Sequence, residues 1–338
     1  MNEKDKPLTR EDLLERIKSN KNSTDKLDLS ESYFEEGIDL RGLKLNGINL
    51  TNCYLYRAHF DGASLFCANL QGCNLGYATF DKLDGQITNL EGADMGSAIL
   101  DFASFQEANL TCAQFQGPPD KNFAAYLKNT DFRKANLFRA NFKNCYFYGT
   151  QLEGTLISGA DIEEGHLGDA DWGNYRIGEE IEAESDKTKN YLFKIAEQTY
   201  RQLKMLYQDL GYYDVAAEFY YREKEANRKS IKLLSKHWND RLASEFFHVL
   251  FGYGERWANV LIWIIGLILF FSVIYSAQPN MSFTGSLYYS AVSFIALGYG
   301  GWVIEPQGWA RLLGVFETFL GFIMMTLLLT TFIRKWTR

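Results

Sequence analysis

From Leu40 onward the chain repeats every five residues, and few folds can accept that period. Leu40, Leu45, Leu50, Leu55, Phe60, Leu65, Leu70, Leu75 and Phe80 stand five apart. After Gly85 interrupts the pattern, Leu90, Met95, Leu100, Phe105, Leu110 and Phe115 continue in the same register. Two residues before most of them sits a small side chain, as at Cys53, Ala58, Ala63, Cys73, Ala93 and Ala108, often followed by Asn or Asp. A helix repeats every 3.6 residues and a simple strand every two, so neither produces this spacing. Positions two apart share one side of an extended segment. The small and the large residue therefore both point inward, and the chain has to turn before the next pair.

A second block places Phe132, Leu137, Phe142, Phe147, Leu152, Ile157, Ile162, Leu167 and Trp172 at the same spacing. Seventeen residues separate Phe115 from Phe132, fifteen plus two, so Gly117-Pro118-Pro119 through Asn129 is expected to bulge out. The pattern resembles the pentapeptide-repeat family, Ala-(Asp/Asn)-Leu-x-x. The resemblance implies a right-handed four-sided β-helix with one pentapeptide per side. Leu40 to Phe115 would supply sixteen central positions, or four coils, and the second block about two more. At a spacing of ~4.8 Å, such a rod is roughly 30 Å long.

The flanks read as helical. Thr9-x-x-Asp12 is a capping-box start, followed by Leu13, Leu14 and Ile17, so residues 1–36 are expected to hold a helix near 10–19 that caps a β-helix over 37–176. Residues 177–187 read as a polar linker. Residues 188–255 read as a helical connector, with helices near 188–210 and 213–235 and an amphipathic stretch over 236–255 suited to a bilayer surface. Tyr200 through Phe219 is similar to a single tetratricopeptide-type hairpin.

Charge and cysteine usage narrow the function. Residues 1–180 carry 18 Lys/Arg against 28 Asp/Glu, and residues 181–338 carry 17 against 14, giving −10 and +3. An acidic first half argues against nucleic-acid binding. Some pentapeptide-repeat proteins mimic DNA with acidic surfaces, but a charged exterior is expected of any soluble solenoid. The five cysteines, Cys53, Cys67, Cys73, Cys112 and Cys145, form no Cys-x-x-Cys pair and read as free thiols in a reducing compartment. The charged first 20 residues lack an apolar region, so no secretory leader is expected. His59 and His166 are isolated, no metal site is indicated, and no nucleophile–base constellation suggests an enzyme.

Residues 256–338 are of another kind. Trp257 to Ala277 is free of charge over 21 residues, and Leu312 to Ile333 contains only Glu317 in 22. Each is long enough to cross a bilayer, whereas apolar Phe283 to Ala296 is too short and suits a re-entrant helix. Arg241 and Arg256 precede the first span and Arg334, Lys335 and Arg338 follow the second, so both ends are expected on the cytoplasmic side of a cell membrane. Trp257 and Trp336 fit an inner aromatic belt, Trp302 and Trp309 an outer one. Between the spans stands Ala296-Leu297-Gly298-Tyr299-Gly300, whose glycines let backbone carbonyls turn toward one axis.

Residues 257–333 resemble the two-helix pore module of the potassium-channel superfamily, whose filter reads Thr-Val-Gly-Tyr-Gly. The resemblance implies that Ala296, Leu297, Gly298, Tyr299 and Gly300 present carbonyls to K⁺ or another monovalent cation, the permeant ion, with no cofactor. Ala296 stands where the family carries Thr and Gly301 where it carries an acid, which leaves strict K⁺ selectivity open. Glu317 either lines the cavity below the filter or hydrogen-bonds to the re-entrant helix from behind, the second being favoured. Gly321, at a family hinge position, forms a stripe with Met325 and Leu329 that lines the inner pore or packs against helices.

One subunit supplies one filter loop, so four are expected around a closed axis. The sequence thus points to a multi-domain subunit with a β-helix, a helical hairpin connector and an all-α membrane pore domain. The expected function is a homotetrameric cation channel in a lipid bilayer, regulated through a cytoplasmic protein or small-ligand partner of the repeats. The alternative is a membrane-anchored scaffold with a degenerate, non-conducting pore.

Overall fold

The computed structural model describes residues 7–20, 27–117, 124–162, 167–231, 238–279, 281–296 and 307–336. Met1–Ser230 and Ile231–Arg338 form two compact units.

In the first unit the five-residue period is spent on turns. The side-chain oxygens of Asn49, Asn69, Asn74, Asn89 and Asn109 each accept the backbone N–H two residues on, at 3.1–3.2 Å. This local bond is why Asn and Asp recur before the central residue. Among the described residues no extended strand forms; neighbouring coils are joined by single parallel bridges. One column of bridges runs through Asp39, His59, Thr79, Ser104, Asp131, Gln151 and Asp171. The central residues are buried, and the rings of Phe60, Phe80, Phe105 and Phe132 stack at 4.7, 4.6 and 5.1 Å. Those separations match the ~4.8 Å distance between hydrogen-bonded neighbours.

Successive members of that column are 20, 20, 25, 27, 20 and 20 residues apart, so the stack carries two excursions. The first corrects the expected count of sides. Leu83 and Gln86 exchange both backbone hydrogen bonds, at 2.9 and 2.8 Å, around Asp84-Gly85, where both φ angles are positive (47° and 81°). Asp-Gly favours such a two-residue hairpin. A whole pentapeptide therefore leaves the stack and Leu90 takes the side expected for Gly85, so Leu40 to Phe115 supplies fifteen central positions rather than sixteen. The second excursion is shorter than expected. Ala125 and Leu127 are buried and Tyr126 bridges to both Ile99 and Tyr146, so the small-x-large pattern resumes before Asn129.

The stack also begins earlier than residue 37. Asp28 bridges to Asn49 and Tyr33 to Tyr54, and Leu29 and Phe34 are buried. Helix α1 (Arg10–Asn20) opens on a reciprocal cap, Asp12 N–H to Thr9 Oγ1 at 3.3 Å and Thr9 N–H to Asp12 Oδ2 at 3.0 Å.

At the other end, residues that read as a polar linker form α2 (Gly178–Ser185). Its acidic side chains are engaged by distant partners. Glu179 accepts the Ser158 N–H at 2.6 Å, and Glu180 accepts from the Tyr200 hydroxyl at 2.6 Å and from Lys229 Nζ at 2.8 Å. Helices α3 (Leu192–Asp209) and α4 (Tyr213–Ser230) form a hairpin whose Phe219 meets Trp172 and Tyr175 edge-on, at 5.2 and 5.7 Å. The hairpin thereby closes the apolar end of the last coil, which a stacked repeat must cover.

The second unit is helical among its described residues: α5 (Trp238–Phe251), α6 (Trp257–Ser276), α7 (Phe283–Ile295) and α8 (Trp309–Trp336). Trp257–Ser276 and Trp309–Ile333 are long and apolar enough to cross a membrane. One turn of 3₁₀ helix, Gly252–Gly254, separates α5 from α6, and Trp263 Nε1 donates to the Val249 carbonyl at 3.0 Å across that elbow.

Candidate ion pathway

Helix α7 has 13 residues, about 20 Å at 1.5 Å per residue, against roughly 30 Å of hydrocarbon. It starts on Ser282, whose Oγ accepts the Gly285 N–H at 3.1 Å, a standard amino-terminal cap. It ends at Ala296, which adopts the left-handed conformation (φ 56°, ψ 34°) and returns its N–H to the Ser293 carbonyl at 3.1 Å. This turns the backbone out of the helix at the first residue of the expected filter. Leu297, Gly298, Tyr299 and Gly300, with Gly301 and Trp302, lie outside the described residues.

Helix α8 packs on α7 through a stripe at positions i, i+3 and i+7. A Cβ on Gly314 would meet the Tyr289 hydroxyl, and a Cβ on Gly321 would run into the carbonyl of Phe294. Between the two glycines, Glu317 is fully buried. Its Oε2 accepts the Tyr275 hydroxyl of α6 at 2.8 Å, and its Oε1 lies within hydrogen-bond distance of Ser290 Oγ on α7. The side chain thus faces the two neighbouring helices. Met325 and Leu329, one and two turns beyond Gly321, are exposed on the single subunit. Gly321 itself is buried against Phe294, so the three do not share one environment.

Two apolar clusters flank the polar junction. Phe271, Tyr275, Met281, Tyr289 and Ala310 make one, and Val260, Ile264, Phe294 and Met324 the other. The sequence reading missed Tyr275, Ser290, Phe294 and Gly314. The available signal was the spacing Gly314, Glu317, Gly321, small residues flanking an acid on one helix face.

In the first unit, a groove of about 1050 Å³ lies beside α2, lined among others by Asn89, Asn109, Asn136, Lys134, Ile181 and Glu182. Among the described residues no cluster of His, Cys, Asp or Glu could hold a metal ion.

Comparison with known proteins separates the two units. Residues 260–338 match the family described as ion channel. Eight copies of the pentapeptide repeat match residues 36–66, 88–117 and 124–171. Neither family is one of enzymes. Among solved structures, the chain is similar to HetL, a pentapeptide repeat protein of the cyanobacterium Nostoc sp. strain PCC 7120, at 21% identity over 48% of this chain and 96% of that one (TM-score 0.18). It is similar to QnrB1, a plasmid-mediated fluoroquinolone resistance protein, at 18% identity over 43% and 77% (TM-score 0.25). A pentapeptide repeat protein of the Arabidopsis thaliana thylakoid lumen matches at 27% identity over 36% and 67% (TM-score 0.15). No curated protein matches the chain. The chain thus carries a region of pentapeptide repeats within residues 36–171 and a region matching the ion-channel family over 260–338.

Proposed function

We propose that the chain is one subunit of a homotetrameric cation channel that conducts K⁺. In this reading α6 and α8 span a cell membrane, α7 is the re-entrant pore helix, and Ala296 to Gly300 form the filter whose carbonyls replace the ion's water. The observation that carries it is α7: a 13-residue apolar helix, too short to span, packed against both spanning helices and ending at the filter's first residue. Met325 and Leu329 face the inner pore, and Gly321 is the point about which α8 bends. The positive residues Arg241, Arg256, Arg334, Lys335 and Arg338 flanking the two spans support a topology with both flanks on the cytoplasmic side.

The repeats then form a right-handed four-sided β-helix in the cytoplasm. It regulates the pore by preferring one of its conformations, since a bound partner shifts an equilibrium only by its differential affinity for the two states. The groove beside α2 is where a small ligand or peptide partner would sit. Ala296, which lacks a hydroxyl at the inner end of the filter, favours a second reading, a membrane-anchored scaffold with a non-conducting pore. Planar-bilayer recording of the purified protein under opposed K⁺ and Na⁺ gradients separates the two. The channel reading expects a reversal potential on the K⁺ side of zero; silence in repeated fusions contradicts it.

A further inference from the structure

Helices α6, α7 and α8 share a buried polar chain. Tyr275, Ser290 and Glu317 are each fully buried. The Tyr275 hydroxyl donates to Glu317 Oε2 at 2.8 Å. Ser290 Oγ lies within hydrogen-bond distance of two acceptors, Glu317 Oε1 and the Ile268 carbonyl of α6, the latter at 3.0 Å. That carbonyl also receives the Ser272 hydroxyl at 2.6 Å.

A hydroxyl has one proton to give. Ser290 can satisfy both contacts only if one of them runs the other way, and a backbone carbonyl cannot donate. With the Ser290 proton given to the Ile268 carbonyl, the proton between Ser290 and Glu317 belongs to Glu317. The chain reads Tyr275 O–H to Glu317 Oε2, Glu317 Oε1–H to Ser290 Oγ, Ser290 O–H to the Ile268 carbonyl. Among the described residues the partners of Glu317 are these two hydroxyls. A carboxylate buried against hydroxyls alone carries a large desolvation cost, whereas a carboxylic acid in the same place is fully paired.

We infer that Glu317 is held as a neutral carboxylic acid, and that the relay from Tyr275 through Glu317 and Ser290 to Ile268 is a positioning device that suspends α7 between α6 and α8. This rests on the channel reading for its consequence, though not for its chemistry. Ser290 is six residues before Ala296, about 9 Å along a helix axis. Between them Phe294 is stopped by Gly321, so Ser290 and Phe294 both fix the end of α7 from which the filter departs. Cation discrimination depends on where the filter carbonyls stand, so loosening the relay alters permeation without contact between Glu317 and the ion.

The test compares full-length wild type, Glu317→Gln, Glu317→Leu and Ser290→Ala in planar bilayers with K⁺ on one side and Na⁺ on the other. A primary amide donates to Ser290 and accepts from Tyr275, so Glu317→Gln is expected to keep the wild-type permeability ratio and unitary conductance within about twofold. Glu317→Leu and Ser290→Ala are expected to shift one or both by at least about threefold while still forming tetramers. Loss in Glu317→Gln equal to that in Glu317→Leu, or no change in Glu317→Leu, overturns the proposal. Infrared difference spectra of wild type against Glu317→Gln give a second readout that needs no current. A protonated-carboxyl band lost in the variant supports the neutral acid, and a carboxylate band in its place overturns it. If wild type carries no current, the channel reading fails, and the infrared band still decides the state of Glu317.

Discussion

The indole nitrogen of Trp172 donates to the hydroxyl of Tyr207 at 2.7 Å, which joins the last coil of the repeat stack to the helical hairpin that closes it. The Tyr207 hydroxyl in turn donates to the Leu167 carbonyl at 2.8 Å, and all of this is buried. Tyr207→Phe leaves the buried indole N–H unpaired without opening a cavity and removes one of the two bonds to the Leu167 carbonyl, which still accepts the Ala170 N–H at 3.0 Å. Buried unpaired groups cost about 1–3 kcal/mol each. Amide hydrogen exchange across residues 167–177 is expected to accelerate by about tenfold or more, at about 1.4 kcal/mol per decade, with the coils near Phe60 unchanged.

The thiols offer a check on the stack that needs no spectroscopy. Cys67 and Cys112 are exposed at its corners, whereas Cys53, Cys73 and Cys145 are buried in the small-residue positions. Burial also pushes the Cys145 thiol up to about 12, which suppresses the reactive thiolate. Maleimide is expected to label Cys67 and Cys112 quickly and the other three only after denaturation. Rapid labelling of Cys73 in the native protein would contradict the packing.

Glu179 gives the end of the stack a pH dependence. Its side chain is buried, Oε2 lacks a partner among the described residues, and burial raises its carboxyl above the ordinary 4.5. A raised native value means that folding favours the protonated form. Its contribution is therefore complete below pH ~4.5 and is lost as pH rises through the native value. Glu179→Gln keeps an oxygen for the Ser158 N–H and cannot ionise. The urea midpoint of the repeat unit is expected to be higher in the variant than in wild type at pH 8, with the gap closing toward pH 4.5.

Gly321→Ala places a methyl group on the Phe294 carbonyl, where helix backbone on both sides resists movement. Overpacking of this kind costs about 1–3 kcal/mol. The thermal aggregation midpoint of the detergent-solubilised protein is expected to fall, whereas Leu329→Ala, at an exposed position on the same helix, leaves it nearly unchanged.

Much of this architecture could be read from residue order, because the period of five and the long apolar runs are local signals. What escaped reading is non-local. The loop around Asp84-Gly85 removes one whole pentapeptide, so Leu90 keeps the register of Phe80 and the departure leaves no trace in the spacing. Residues 177–187 look like a solvated acidic linker until Ser158, Tyr200 and Lys229 arrive from elsewhere in the chain to bind Glu179 and Glu180. Glu317 announces itself as an acid in an apolar helix, but Tyr275 and Ser290 become its partners only when α6 and α7 pack beside it. Ala296 read as a weakened filter residue; its left-handed backbone, which turns the chain out of α7, is a property of conformation that composition does not carry.

Proteoliposomes loaded with K⁺, with wild type and Gly298→Ala reconstituted side by side at equal protein density, decide whether the proposed filter conducts. Wild type is expected to discharge the gradient and the variant to do so at least about tenfold more slowly, since in the proposed channel the substitution falls in the carbonyl filter and leaves the repeats untouched. Equal flux from the two proteins, or none from either, would contradict the channel reading.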